Sequence, residues 1–99
     1  MEFEWDIAKE KENIKKHGID FDTASDVFRD PNRIERHDED SSEEEDRWQT
    51  IGYYNNMFYV VYTERGDVTR IISARVANSA ERRRYHGNSE AFGWRRAHP

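Results

Sequence analysis

The sequence predicts an α+β domain in which a small antiparallel β-sheet packs against an N-terminal helical hairpin and a C-terminal helix. Three runs of β-branched and aromatic residues follow one another at 47–54, 57–64 and 68–75, which is typical of a meander. Segments with helical spacing and capping residues flank this meander (47–75) on both sides. Together these observations favour helices and strands that are segregated along the chain, as in the α+β class.

The length and composition limit the organisation. With 99 residues, the chain suffices for one small domain with a single core. We place that domain at residues 1–87, and we expect residues 88–99, which lack periodicity, to form a loosely held tail. The absence of cysteine excludes disulfides and thiolate metal sites. No apolar run approaches the ~20 residues of a membrane span, and no signal-peptide pattern is visible, so we expect a cytoplasmic protein without membrane contact.

The N-terminal region predicts an edge strand followed by a helix. Phe3-Glu4-Trp5 alternates as a short strand does, and Asp6 is a candidate N-cap. The helix is expected to run from about Ile7 to His17 and to end at Gly18. Its apolar side is thin (Ile7, Ala8 and Ile14). A helix this polar needs a partner surface to hold it.

A second helix and an acidic segment follow. Asp20 is the candidate N-cap, and the core stripe of the helix consists of Phe21, Ala24, Val27 and Phe28. Asp30-Pro31 ends it, because the residue before proline is disfavoured in the helical region. We expect residues 33–37 to form a short strand. Residues 38–46 hold seven acids in nine residues, and we expect this repulsive run to form a mobile loop.

The charge is unevenly distributed along the chain. The net charge is −5, but residues 1–46 hold seven Lys/Arg against seventeen Asp/Glu, whereas residues 47–99 hold nine Arg against four acids. Phosphate binding depends on the local field rather than on the total charge. All nine C-terminal cations are arginine, whose planar fork matches a phosphate bidentately. The C-terminal half can therefore meet RNA, although any single arginine is better explained as a solvating charge.

The stretch 70–85 combines a strand with a short helix. Strict alternation predicts that Ile72 and Ala74 share one face of the sheet, and that Ile71, Ser73 and Arg75 share the other. The helix then begins with a capping box, in which Asn78 is the N-cap and Glu81 lies three residues later. It is expected to run from about residue 79 to 86. Arg75 is the strongest functional candidate, because packing alone does not explain a cation late in a central strand.

Several kinds of site are excluded by pattern. The four histidines are scattered, without ligand spacing, and the acidic run lacks the glycine of a calcium loop. We therefore expect no metal and no other cofactor. Glycine-rich phosphate loops and nucleophile-elbow motifs are also absent from the sequence.

The remaining chemistry is metal-free RNA cleavage, which needs a base, an acid and cations for the phosphorane-like charge. Arg47, Arg70 and Arg75 lie on strands of one predicted sheet, so their side chains can meet over one groove. Tyr85 shares the face of Arg82 on the last helix. His17, at the end of the first helix, is the candidate for proton transfer.

Each candidate also has an explanation without function. His17 can interact favourably with the helix dipole, and Tyr85 can be a half-buried anchor of the last helix. Arg47 can form a surface ion pair with Glu45 or Asp46, which contributes little. Ser73 is ambiguous.

In combination these residues resemble the BrnT toxin family, the toxic partners of bacterial toxin–antitoxin pairs. The resemblance covers about residues 3–86, and Lys-His-Gly with Ile-Ser-Ala-Arg is its most specific combination. The matching residues are Phe3, Trp5, Asp6, Lys9, Asn13, Lys16, His17, Gly18, Phe21, Ala24, Phe28, Asp30, Pro31, Glu45, Arg47, Gly52, Glu64, Arg65, Arg70, Ile71, Ile72, Ser73, Ala74, Arg75, Ala77, Glu81, Arg82 and Tyr85. The dense acidic run and the tail 88–99 depart from the family pattern.

The resemblance implies a RelE-like fold and a metal-independent endoribonuclease that arrests translation and growth. It also implies a cognate BrnA-like antitoxin, and contact with DNA only indirectly through that antitoxin. We accordingly expect His17, Arg47, Arg75 and Tyr85 to be catalytic. We expect the substrate to be bound by Lys9, Lys16, Arg65, Arg70, Ser73 and Arg82.

Two other functions remain as alternatives. In the first, the arginine-rich face docks a partner protein and the chain has no turnover of its own. In the second, the chain binds DNA directly, but no basic recognition helix is visible. The second helix carries Asp22, Asp26 and Asp30, which would repel DNA.

Overall fold

The computed structural model describes residues 1–40, 45–87 and 91–97. Its strands are β1 (Glu2–Trp5), β2 (Ile34–His37), β3 (Arg47–Tyr54), β4 (Asn56–Arg65), β5 (Val68–Val76) and β6 (Arg95–Arg96). Its helices are α1 (Ile7–His17), α2 (Phe21–Ser25) and α3 (Ser79–His86), with 3-10 turns at Asp26–Arg29 and Ala91–Gly93. The predicted α+β class is confirmed. The second predicted helix is split, because its last turn tightens into the 3-10 segment.

The strands form one six-stranded sheet in the order β1-β5-β4-β3-β2-β6. Strand β2 pairs antiparallel with β3 on one side and with β6 on the other. Strands β3, β4 and β5 pair antiparallel in chain order and form the predicted meander. The sheet is mixed rather than purely antiparallel, because β1 runs parallel to β5. As predicted, β1 is an edge strand. Part of the predicted acidic loop, residues 41–44, lies outside the described residues.

The predicted caps define the helices. The Asp6 carboxylate accepts hydrogen bonds from the backbone N–H groups of Ala8 (2.8 Å) and Lys9 (3.2 Å). Gly18 ends α1 in the left-handed region, with φ of 72°, a conformation that favours glycine. The capping box of α3 is present, since Asn78 accepts from the N–H of Glu81 and Glu81 accepts from the N–H of Asn78, each at 2.9 Å. These helix limits were therefore readable from the sequence.

A buried asparagine attaches α1 to the edge of β5. The Asn13 side chain donates to the carbonyls of Ala74 (2.8 Å) and Ile19 (3.0 Å), and it accepts from the N–H of Ala74 (3.0 Å). Beyond the end of β1 it thus supplies the hydrogen bonds that a neighbouring strand would make. The prediction that Ile7 and Ile14 form an apolar side that holds α1 was wrong, since these side chains are 66% and 44% exposed. The helix is held by polar contacts with backbone.

Each face of the sheet carries its own hydrophobic cluster, rather than the single core expected. One cluster joins α2 and the following 3-10 turn to one face: Ile19, Phe21, Ala24, Val27, Phe28, Phe58, Val60, Tyr62, Ile71 and Ala74. The other cluster lies on the opposite face and consists of Ile34, Ile51, Met57, Ala77 and Trp94, with Tyr59 and Tyr85 against it. Alternation along β4 places its successive side chains in the two clusters in turn.

The predicted faces of β5 were wrong because the strand contains a β-bulge. The register pairs Val61 with Ser73 but Tyr62 with Ile71, so Ile72 is the extra residue. As a result Ile71 and Ala74 belong to the same hydrophobic cluster, and Ile72 is excluded from it. A bulge interrupts the two-residue period of a strand. Ser73 and Arg75 remain together on the face opposite this cluster.

The described part of the C-terminal tail is packed against the domain. Trp94 is 3% exposed and belongs to the second cluster. Strand β6 pairs antiparallel with β2, and Ala97 N–H donates to the carbonyl of Arg33 at 3.1 Å. The expectation of a loosely held tail is therefore wrong for residues 91–97. One aromatic side chain and a two-residue strand hold this segment, and neither produces a periodic pattern in the sequence.

Among the described residues, no helix is long and apolar enough to cross a membrane.

Candidate functional site

Three arginines from two strands, β3 and β5, lie on one face of the sheet, opposite α2. The strand register places Arg47, Thr63 and Arg70 in one row across β3, β4 and β5. The next row holds Gln49, Val61 and Ser73, and the third holds Ile51, Tyr59 and Arg75. Side chains in such rows are neighbours on one face. We call this surface, defined by Arg47, Arg70, Ser73 and Arg75, the arginine face.

Arg75 has the most fixed environment of these arginines. Its two terminal nitrogens donate to the two carboxylate oxygens of Glu81, each at 2.8 Å, and its guanidinium lies 4.2 Å from the centroid of the Tyr59 ring. The hydrogen bonds to Glu81 raise the pKa of Arg75 above its usual value, so the side chain is always charged. Burial raises the pKa of the Tyr59 phenol. A carboxylate thus occupies the fork that a phosphate would bind.

The other cations on strands differ in how tightly they are held. Arg70 has a long ion pair with Glu4, at 3.5 Å, across the β1–β5 pair. Arg65 lies at the end of β4 and pairs with Glu45 at 3.3 Å, where its side chain is 51% exposed. Exposed pairs of this kind contribute little free energy. A phosphate can therefore compete for these two arginines more easily than for Arg75.

The predicted residues of α1 meet β5 in a separate cleft. This cleft, of about 220 Å³, is lined by Lys9, Glu12, Asn13, Lys16, His17, Ile72 and Ser73. The bulge is what brings Ile72 and Ser73 to it. Ser73 belongs both to the arginine face and to this cleft. Lys9, Lys16 and His17 therefore adjoin the arginine face at Ser73, although none of them lies on the sheet.

Tyr85 and Arg82 make contacts that anchor α3. The Tyr85 hydroxyl donates to Asp30 Oδ2 at 2.6 Å, and the Arg82 guanidinium donates to Asn56 Oδ1 at 3.3 Å. Asp30 is 8% exposed and also accepts from the N–H groups of Tyr53 and Asn32, each at 2.8 Å. Asp30 thus joins α3, β3 and the end of the first helical region. The structure does not bring Tyr85 and Arg75 together.

This anchor makes stability sensitive to alkaline pH. Burial and the hydrogen bond to Asp30 raise the pKa of Tyr85 to about 12, whereas an unfolded tyrosine titrates near about 10. The folded state therefore holds the proton more tightly, and this stabilisation is complete below pH ~10 and is lost as the pH rises towards ~12. Urea unfolding between pH 9 and 12 is expected to show this loss. Because Tyr62 and Tyr59 also have raised pKa values, Tyr85→Phe should reduce the slope without abolishing it.

The matched control for that experiment is Tyr54→Phe, since Tyr54 is an exposed tyrosine at the end of β3. The control is expected to keep the pH slope of the original chain. A Tyr85→Phe variant with the same slope would contradict a role of the Tyr85 hydroxyl in the alkaline stability loss.

Three residues that shape these sites are not among the site residues that the sequence predicts. Glu81 caps α3 as predicted, and it also holds Arg75. Tyr59 supports the Arg75 guanidinium, and its position in a strand next to buried Met57 and Phe58 was the available signal. Asp30 was used only as a helix end. A buried carboxylate needs partners from other segments, and no local pattern identifies them.

Groups of three or more histidine, aspartate or glutamate side chains that could hold a metal ion do not occur among residues 1–40, 45–87 and 91–97.

Comparison with known proteins gives the class of the chain. A family model for ribonuclease toxins of type II toxin–antitoxin systems matches residues 5–81. It is the model of the BrnT toxins, and because it spans most of the sequence, the chain belongs to the BrnT family. The resemblance noted in the sequence is thereby confirmed. A ribonuclease toxin of a type II system has a protein antitoxin as its partner and RNA as its substrate. A search of curated proteins found no match.

Proposed function

We propose that the chain is a metal-independent endoribonuclease of the cytoplasm that cleaves RNA by attack of a 2′-hydroxyl and thereby arrests translation and growth. One observation carries the proposal. The register places arginines from β3 and β5 on one face of a single sheet, with Ser73 linking them to the cleft of His17. Cations gathered on one face of a sheet suit a ribose-phosphate backbone.

The proposed roles of the arginines follow from the charge of the reaction. A general base takes the proton of the 2′-hydroxyl as its oxygen attacks the adjacent phosphorus. The bond from phosphorus to the 5′-oxygen breaks, a 2′,3′-cyclic phosphate forms, and a general acid gives a proton to the leaving 5′-oxygen. Negative charge increases on the phosphoryl oxygens in the transition state, where fixed cations stabilise it. Arg47 and Arg70, in one row across the sheet, bind the backbone in this proposal. Arg75, in the third row, stabilises the reacting phosphate. Lys9, Lys16 and Arg65 bind the substrate at the margins of the arginine face.

Proton transfer is assigned to His17. It lines the same cleft as Ser73, and histidine is the side chain that most often serves as a general acid or base. Tyr85 is less suited to this task, because its hydroxyl is committed to Asp30 and its pKa is about 12. We therefore propose that Tyr85 and Arg82 hold α3 in place, which fixes Glu81 and through it Arg75.

The proposal is tested with purified protein and a long single-stranded RNA in the presence of EDTA. Cleavage that persists in EDTA and leaves 2′,3′-cyclic phosphate ends is expected. Cleavage that stops in EDTA and returns with Mg²⁺ would contradict metal independence, and 3′-hydroxyl ends would contradict the 2′-hydroxyl mechanism.

A second function is favoured by the Arg75–Glu81 pair. Since the guanidinium fork is already occupied by a carboxylate at 2.8 Å, the arginine face can be a docking surface for an acidic partner segment rather than a catalytic one. Intact RNA together with tight binding of the antitoxin would support this binding-module function.

The partner in either case is proposed to be a BrnA-like antitoxin encoded beside the toxin, and DNA is contacted only through it. If the antitoxin covers the arginine face, RNA and antitoxin must compete. Addition of antitoxin to the cleavage assay should then raise the apparent KM for RNA.

A further inference from the structure

An aromatic side chain in the C-terminal segment is displayed to solvent at a conformational cost. Phe92 is 70% exposed, and its backbone lies in the left-handed region with φ of 60°. A bulky residue rarely adopts this conformation, and such outliers are concentrated where a ligand is bound. Burial does not explain the ring, since the neighbouring Trp94 fills the core position. The residue also lies outside the segment 5–81 that matches the family model.

One guanidinium lies over this ring, and a second lies over the neighbouring Trp94 ring. The Arg84 guanidinium lies 4.2 Å from the centroid of the Phe92 ring, and that of Arg36 lies 4.5 Å from the Trp94 ring. Arg36 also donates to the Phe92 carbonyl at 3.2 Å, which holds the turn in place. Among the described residues no carboxylate pairs with Arg84. Aromatic rings next to arginine are the usual means of binding an unpaired nucleobase and its phosphate.

The two clefts beside Phe92 differ in charge. On one side is a cleft of about 250 Å³, lined by Arg36, Asn78, Ala80, Glu81, Arg84, Phe92 and Trp94. On the other side is a smaller cleft lined by Arg36, His37, Asp38, Glu39, Asp40, Gln49 and Phe92. The three carboxylates of the second cleft disfavour a phosphate, so the first cleft, which contains Arg84, is the side that suits a nucleic-acid backbone. The carboxylate of Glu81 in the first cleft is neutralised by Arg75, and this contact joins the cleft to the arginine face.

We propose that Phe92, together with Arg84 and Arg36, forms a stacking subsite for one unpaired base of the RNA, adjacent to the phosphate held on the arginine face. The inference rests on RNA being the substrate, as stated in the proposed function. It adds a contact that belongs to the C-terminal segment and lies beyond the matched family region. The subsite contributes binding rather than chemistry, because the ring offers no group that can transfer a proton.

The test is a binding measurement that does not depend on cleavage. A single-stranded 2′-O-methyl RNA that carries 2-aminopurine cannot be cut by 2′-hydroxyl attack, and its fluorescence falls when the base stacks. Phe92→Ala is expected to weaken binding about tenfold, which lies within the range for one stacked base, and to remove the quenching. Phe92→Tyr should retain both signals, whereas Phe92→Leu, which keeps apolar volume, should lose the quenching.

Tyr54→Ala provides the matched control, since it removes an exposed aromatic ring elsewhere on the surface. Its binding is expected to equal that of the original chain. Phe92→Ala binding within twofold of that of the original chain would overturn the subsite, and so would unchanged quenching. In the cleavage assay the same variant should raise KM and leave kcat unchanged. If the original chain binds the 2′-O-methyl RNA but leaves unmodified RNA intact, the proposed catalysis fails while the subsite stands; if it binds neither RNA, both fail.

Discussion

Replacement of Arg75 by alanine is expected to lower kcat for RNA cleavage about a hundredfold or more, the effect of removing one preorganised donor from the transition state. Arg75 is held by two hydrogen bonds to Glu81 and by the Tyr59 ring, so its charge is fixed before substrate arrives. The guanidinium carries five N–H groups, so those that Glu81 does not engage can contact the reacting phosphate, and an oriented cation needs no reorganisation in the transition state. Arg75→Lys keeps the charge but lacks the planar fork, and it is expected to recover only a small part of the activity. The measurement is single-turnover cleavage of a defined oligoribonucleotide.

The controls for this experiment must separate activity from folding. The Glu81 side chain is 14% exposed, and loss of its partner leaves a largely buried carboxylate without compensation. The double variant Arg75→Ala/Glu81→Ala removes that carboxylate and should be as inactive as the single variant. Arg83→Ala changes an exposed arginine on α3 and should retain full activity. A folded Arg75→Ala protein with normal cleavage would remove Arg75 from the site.

The same variants distinguish the enzyme from the docking surface. If the arginine face binds only a partner protein, Arg75→Ala weakens the antitoxin complex while RNA stays intact with every version of the chain. If the face is catalytic, the variant loses cleavage. Expression in cells without antitoxin gives a second readout, since growth arrest should disappear together with cleavage.

The local part of the fold was predictable because it depends on neighbours in sequence. Asp6 and Asn78 accept hydrogen bonds from N–H groups two or three residues later, and Gly18 ends α1 through its own backbone freedom. The meander was predictable for the same reason, since Asn55 adopts the left-handed region, with φ of 61°, between two strands. In all these cases the residue that determines the structure lies within four positions of the feature.

The composition of the site was less predictable, because it depends on register and on distant contacts. Because Ile72 is a bulged residue, Ile71 lies in the core cluster rather than on the face of Ser73. Ser73 lines the cleft that contains His17. Alternation cannot locate such an insertion, since each half of the strand is regular. The Tyr85–Asp30 hydrogen bond spans 55 positions. It commits the Tyr85 hydroxyl to Asp30, and nothing close to Tyr85 in sequence indicates that partner.

Replacement of Asn13 by alanine is expected to lower the free energy of unfolding by about 3 kcal/mol, in the range for buried groups left without partners. The side chain is 5% exposed, and its loss would leave the N–H and C=O of Ala74 and the C=O of Ile19 without their hydrogen bonds. Asn13→Asp should be at least as damaging, because a carboxylate accepts but cannot donate to two carbonyls. Urea unfolding is the measurement, and Lys15→Ala on the exposed side of α1 is the control. Equal midpoints for the two alanine variants would show that α1 is not held at the β5 edge by Asn13. Since Ala74 lies between Ser73 and Arg75, a destabilised edge should also reduce cleavage at temperatures where the variant is still folded.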